Sequence, residues 1–221
     1  MNFLEFLKSN LSHALPILIC AAFAIAIISE RLKALYKTYP LPETDAFYAK
    51  VAELVMAAKV QDAITLCEKY PEKPVARVMK SALKRAHLPE NLIEDGVRLA
   101  VSEAVQSVLK RTSFLATIAN VATLLGLFGT IAGLISSFEA VGHADAQQKS
   151  ALLSAGIATA MNATMLGLAV AIPCMVAFSF LINRSNRMIS DIEDSSVRAG
   201  DILKQRLYTP DSGASHESGA A

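Results

Sequence analysis

Six polar side chains sit in stretches otherwise built to avoid water: Asn120, Thr123 and Thr130 in one, and Thr159, Asn162 and Thr164 in another. Asn and Thr can donate and accept hydrogen bonds, hold water and solvate an ion, but neither changes charge near neutral pH. Asn120, Thr123 and Thr130 recur at steps of three and seven, so on a helix they share a face. Polar groups in hydrocarbon are costly unless they meet partners or water, so such faces point to a bundle interior or a pore. A membrane Thr can also satisfy itself on the carbonyl four residues back and do nothing else. Two stretches that each carry two Thr and an Asn favour the polar interior.

An absence limits the chemistry further. No Asp, Glu, Lys, Arg or His lies between Thr112 and Phe138 or between Ser150 and Asn183. Protons that cross here need a titratable group from another chain, and a single-span partner with a membrane carboxylate supplies one. Glu30 and Glu139 stand at the ends of apolar stretches, as interfacial charges. His13, His87 and His143 are isolated and show no metal-ligand spacing. Cys20, Cys67 and Cys174 are far apart, odd in number and without a CxxC pair, so neither a disulfide framework nor a zinc site is indicated. No nucleotide loop or catalytic cluster is present, so neither an enzyme nor a cofactor is expected. A net charge of +1 gives no reason to expect nucleic acid as a partner.

The elements that position these groups follow from hydropathy. Charged residues are absent from Ser9–Ser29, Thr112–Phe138 and Ser150–Asn183, runs of 21, 27 and 34 residues. A hydrocarbon core about 30 Å thick needs about 20 apolar residues in a helix, so each run is long enough to span. Glu30, Arg31 and Lys33 follow the first run directly, with no small-residue cleavage site, which reads as a stop-transfer flank and not a signal peptide. The expected organisation is an N-terminal periplasmic or interfacial segment (1–12), spans at 13–30, 112–139 and 151–183, and a short periplasmic loop (140–150). A cytoplasmic helical domain (31–111), a cytoplasmic helix (184–208) and a disordered tail (209–221) complete it. Arg31, Lys33, Lys37, Lys110, Arg111, Arg184 and Arg187 flank the spans on one side, which the positive-inside rule places in the cytoplasm. The N-terminus is then periplasmic and the C-terminus cytoplasmic.

Between the first two spans the apolar period is helical and Pro punctuates it. Leu41-Pro42-Glu43-Thr44-Asp45 reads as a turn and helix start, and further helices are expected over Gln61–Glu68 and from Pro74 to about Ala86. One long helix of about 45–50 residues is expected to start at Pro89-Glu90 and run into the second span. No segment shows a convincing strand pattern.

Leu124-Leu-Gly-Leu-Phe-Gly-Thr-Ile-Ala-Gly-Leu and Gly156-Ile-Ala-Thr-Ala-Met-Asn-Ala-Thr-Met-Leu-Gly-Leu-Ala-Val-Ala-Ile-Pro resemble the two membrane motifs of the MotA/TolQ/ExbB proton-channel family. Ala63-Ile-Thr-Leu-Cys-Glu and Pro74-Val-Ala-Arg-Val are similar to its cytoplasmic part. The resemblance covers roughly residues 12–205. It implies an all-α membrane protein: a homopentamer of three-span subunits with long cytoplasmic helical extensions, bundled around a central pore. Two copies of an ExbD/TolR/MotB-like single-span partner would occupy that pore, each bringing a membrane Asp. Thr130 and Thr164 match the family's pore-lining threonines, and Gly126, Gly129, Gly133 and Gly167 would let helices pack closely. Where ExbB and TolQ carry a Glu, five positions before the third-span Thr, this chain has Thr159. That departure suggests a specialised branch such as a gliding-motility stator.

The function implied is that of a stator subunit of a proton-driven inner-membrane motor, with a TonB/TolA-like or other load protein. A non-motor oligomeric channel or scaffold would use the same polar bundle, and a neighbouring gene for a short protein with one Asp-bearing span would favour the motor.

Overall fold

The computed structural model describes residues 11–208. Seven α-helices and no strand occur among the described residues. They are α1 (Leu11–Lys33), α2 (Thr44–Met56), α3 (Val60–Glu68), α4 (Pro74–Lys84), α5 (Glu90–Leu109), α6 (Phe114–Gly142) and α7 (Lys149–Tyr208). Three of these stretches are long and apolar enough to cross a membrane: that of α1, that of α6 and the first half of α7. The expected N-terminal segment up to Asn10 and the tail from Thr209 lie outside the described residues.

The chain divides into two compact units. The first holds α1, α6 and α7 up to Asn183. Its outer surface is apolar, with Phe23, Leu124, Phe128, Phe138, Met161 and Phe180 all exposed. Water would not tolerate such a surface, whereas lipid or neighbouring helices would.

The second unit holds α2 to α5 and α7 from Arg184. Its core is that of a soluble helical bundle. Phe47, Val51 and Val55 of α2, Val78, Met79 and Leu83 of α4, Ile93 and Val97 of α5, and Ile192 and Leu203 of α7 are buried. Pro74 opens α4 at a position where its missing N–H costs nothing. Polar ties hold the outer layer: Ser195 donates to the Val75 carbonyl at 3.2 Å, and Lys73 to that of Pro40 at 2.7 Å. The Arg198 guanidinium lies 4.7 Å from the centre of the Tyr48 ring, a cation–π contact.

One expectation is corrected. The long helix expected from Pro89 into the second span is two helices, α5 and α6. Lys110 is extended (φ −46°, ψ 129°), and Arg111 takes the left-handed region (φ 61°). No Gly or Pro marks the break. Arg111 is held there by an ion pair to Glu30 of α1 at 2.7 Å. The Phe114 and Leu115 N–H groups then donate to the Arg111 and Thr112 carbonyls, both at 3.2 Å, and α6 starts anew.

Candidate functional site

The first unit is organised by a seam of small residues between α6 and α7, which run antiparallel. On α6 it comprises Ala122, Gly126, Gly129, Gly133 and Ser137, and on α7 it comprises Gly156, Ala160, Ala163 and Gly167. A Cβ added at Gly167 would lie 2.7 Å from the Ala122 carbonyl oxygen and 2.9 Å from the Gly126 Cα. One at Gly126 would lie 3.2 Å from both the Ala163 oxygen and the Gly167 Cα. One at Gly129 would meet the Ala163 methyl at 2.7 Å, and one at Gly133 would meet Ala160 at 3.2 Å. The two backbones therefore touch, as small residues permit where hydrophobic burial cannot drive association.

The seam has two flanks, and α1 covers one of them. Ala14 and Ile17 of α1 pack with Ala163, Leu166 and Val170 of α7 and Leu125 of α6. At 100° per residue, Asn120, Thr123 and Thr130 stand about 140–160° round α6 from Leu125. Thr164 stands about 160° round α7 from Leu166. These four side chains thus lie on the flank away from α1. Thr159 and Asn162 are within about 40° of Leu166 and lie on the α1 side. The six polar residues do not form one surface: four gather on the free flank and two do not.

Their hydrogen bonds differ in kind. Thr123 Oγ1 donates to the Ala119 carbonyl at 3.0 Å. Thr130 Oγ1 donates to that of Leu127 at 2.5 Å, and Thr159 Oγ1 to that of Ala155 at 3.0 Å. These are local bonds within one helix, each leaving the hydroxyl's lone pairs free to accept. Thr164 Oγ1 alone reaches across, to the Gly126 carbonyl at 3.2 Å. Gly126 has no side chain, so nothing shields its carbonyl from that hydroxyl. Asn120 is exposed. The arrangement offers a row of neutral hydroxyl and amide groups that can solvate a charge or a water chain, and no acid or base of its own.

Sequence reasoning missed five of the nine seam residues: Ala122, Ser137, Gly156, Ala160 and Ala163. The signal was there, since 156, 160, 163 and 167 are small residues at steps of four, three and four, but Ala is too common in membrane helices to stand out. Also missed was Thr112, fully buried just before α6, whose Oγ1 has no hydrogen-bond partner. Glu30, read as an interfacial charge, binds Arg111 and lies 3.6 Å from Arg31. Among the described residues no cluster of His, Cys, Asp or Glu could hold a metal.

The family described as the MotA/TolQ/ExbB proton channel family matches residues 71–194. The chain belongs to that family. It is 31% identical to the Tol-Pal system protein TolQ of Haemophilus influenzae, over 94% of this chain and 96% of the relative. It is 34% identical to TolQ of Pseudomonas aeruginosa over 52% of this chain and 49% of the relative. Among solved structures, the C. jejuni MotAB structure contains a chain of similar fold, with a TM-score of 0.55 and 15% identity, covering 90% of this chain and 85% of that one. The family matches span parts of both units, including α4, α5, all of α6 and the membrane half of α7.

Proposed function

We propose that this chain is the pore-forming stator subunit of a proton-motive-force-driven motor in the bacterial inner membrane. Five copies surround two single-span helices of an ExbD/TolR/MotB-like partner, and the partner's membrane Asp takes up and releases the protons. The observation that carries this reading is the free flank: Asn120, Thr123, Thr130 and Thr164 gather opposite α1, on stretches without an Asp, Glu, Lys, Arg or His. Neutral hydroxyls are suited to solvating an acid that must change charge as it passes, since they favour neither state by a fixed charge. The second unit and the three basic flanks lie on the cytoplasmic side, and the α6–α7 turn lies on the periplasmic side.

Similarity to TolQ along nearly the whole length supports envelope energy transduction through a TolA- or TonB-like load over gliding motility. Thr159 is the observation that favours a second reading, a non-motor channel or scaffold, because a family carboxylate is absent there. Its place on the α1 flank, away from Thr130 and Thr164, weighs against that reading. Co-purification with the products of neighbouring genes, followed by native mass spectrometry, tests the proposal. Five copies with two single-span partners are expected. A monomer with no companion would refute it.

A further inference from the structure

Along the free flank of the first unit the polar residues are unevenly spread in depth. The antiparallel register of α6 and α7 is set by the contacts Gly126–Gly167, Gly133–Ala160 and Ser137–Gly156. In that register Thr130 and Thr164 stand at one level. Leu134 and Met161 stand one turn nearer the α6–α7 turn, and Phe138 and Ile157 one turn nearer still. At 100° per residue Leu134 and Phe138 lie about 180° and 140° round α6 from Leu125, and Ile157 and Met161 about 180° and 140° round α7 from Leu166. These four apolar side chains therefore continue the flank of Thr130 and Thr164. Phe138 and Met161 are 62% and 67% exposed, and Ile157 is exposed as well. Polar residues at the same depth are turned elsewhere. Ser136, Thr159 and Asn162 lie on the α1 side, within about 40° of Leu125 or Leu166. Ser137 is buried in the seam, where its hydroxyl donates to the Gly133 carbonyl at 2.6 Å. In the opposite direction, toward Phe114 and Asn183, the flank carries Thr123, Asn120 and Ser179, and one apolar layer, Leu127 with Leu168, separates them from Thr130.

We infer that Leu134, Phe138, Ile157 and Met161 form an apolar collar that seals the periplasmic half of the pore against water. This rests on the pore reading above and adds a gate to it. An apolar constriction sheds water, and a dry passage without an acid carries no protons. The collar occupies about 12 Å of α6 from Thr130 to Phe138, at 1.5 Å per residue. On the cytoplasmic side the polar groups from Thr130 to Asn120 extend over about 15 Å and can hold water. An acid at the level of Thr130 and Thr164 thus exchanges protons with the cytoplasm along a polar wall. It meets the periplasm only where movement of the partner helix parts the collar, so proton entry is the controlled step.

The test places the full-length chain in liposomes with its co-purified single-span partner, whose membrane carboxylate is changed to its amide, under an imposed proton gradient. With that acid removed, the unmodified chain should leak no faster than empty vesicles. Leu134→Ser with Met161→Ser should leak several-fold faster, because one layer of the collar becomes wettable. Met161→Ser alone should shift the leak in the same direction, and that side chain is mostly exposed, so its loss leaves the α6–α7 packing in place. Phe128→Ser with Ile135→Ser is the control, on the outer face of α6 about 60–80° from Leu125 on the side away from α7, and should not leak. Circular dichroism and native mass spectrometry confirm that each variant is folded and assembled. Assembled collar variants as tight as the control would overturn the collar and leave the pore reading standing, since Thr164→Val tests that separately. A leak through the unmodified chain, or an equal leak in the control, would also overturn the collar. A monomeric unmodified chain would overturn the pore reading and the collar with it.

Discussion

Adding one methyl at Gly167 tests the seam. An alanine Cβ there would stand 2.7 Å from the Ala122 oxygen and 2.9 Å from the Gly126 Cα. Carbon atoms pack best at about 3.5–4.0 Å, so the helices must part by somewhat under 1 Å. Both obstacles are backbone atoms, so no rotamer change relieves the clash. Overpacking of this kind costs about 1–3 kcal/mol, and parting the helices also stretches the Thr164–Gly126 bond, now 3.2 Å. Gly200, in the same helix α7, is the control, because a Cβ there meets nothing within 4 Å. Gly200→Ala should therefore stabilise by about 0.5–1 kcal/mol through helix propensity alone. Thermal unfolding in detergent, followed by circular dichroism or by a thiol-reactive dye, separates the two. The dye is suitable because Cys67 and Cys174 are buried and Cys20 is half-buried in the folded chain. Opposite signs are expected, Gly167→Ala below wild type and Gly200→Ala above it. Equal melting of Gly167→Ala and wild type would refute the close approach of α6 and α7.

Further predictions follow from particular residues. Thr164→Val should lose the cross-helix bond at a cost of about 1 kcal/mol and abolish partner-dependent proton flux. Thr164→Ser should keep both, and wild-type flux in the valine variant would count against the free flank. Burial pushes the Cys67 thiol up to about 12, so it stays protonated at neutral pH. Maleimide labelling of Cys67 should be slow until the second unit unfolds, and rapid labelling under native conditions would show that α3 opens. Ala58, between α2 and α3, takes a left-handed conformation (φ 60°). Ala58→Gly should raise stability by about 1 kcal/mol, the relief of the left-handed backbone exceeding the added freedom of the unfolded chain; a denaturant midpoint at or below that of the unmodified protein would refute this.

The spans were readable because nothing but a membrane accommodates 27 or 34 residues without a charge. Helix starts at Thr44 and Pro74 were readable from turn chemistry, since Pro and the residues around it restrict the backbone locally. The break before α6 was not. Lys110 and Arg111 are ordinary helix formers, and it is a tertiary ion pair to Glu30, 81 residues away, that accompanies the left-handed turn. Periodicity puts Asn120, Thr123 and Thr130 towards one face, because that is a property of a single helix. It could not divide Thr159 from Thr164, because the flank each takes depends on where the seam and α1 lie. Those positions are set by small residues whose only signal is the lack of a side chain.

Proton flux into liposomes tests the central claim most directly. Vesicles holding the purified chain alone are compared with vesicles holding it together with its co-purified single-span partner, under an imposed gradient and with a pH-sensitive dye inside. Thr112–Phe138 and Ser150–Asn183 hold no Asp, Glu, Lys, Arg or His, so the chain alone should conduct no protons above the empty-vesicle leak. Flux should appear with the partner and vanish when the partner's membrane carboxylate is changed to its amide. Steady proton conduction by the chain alone would contradict the account.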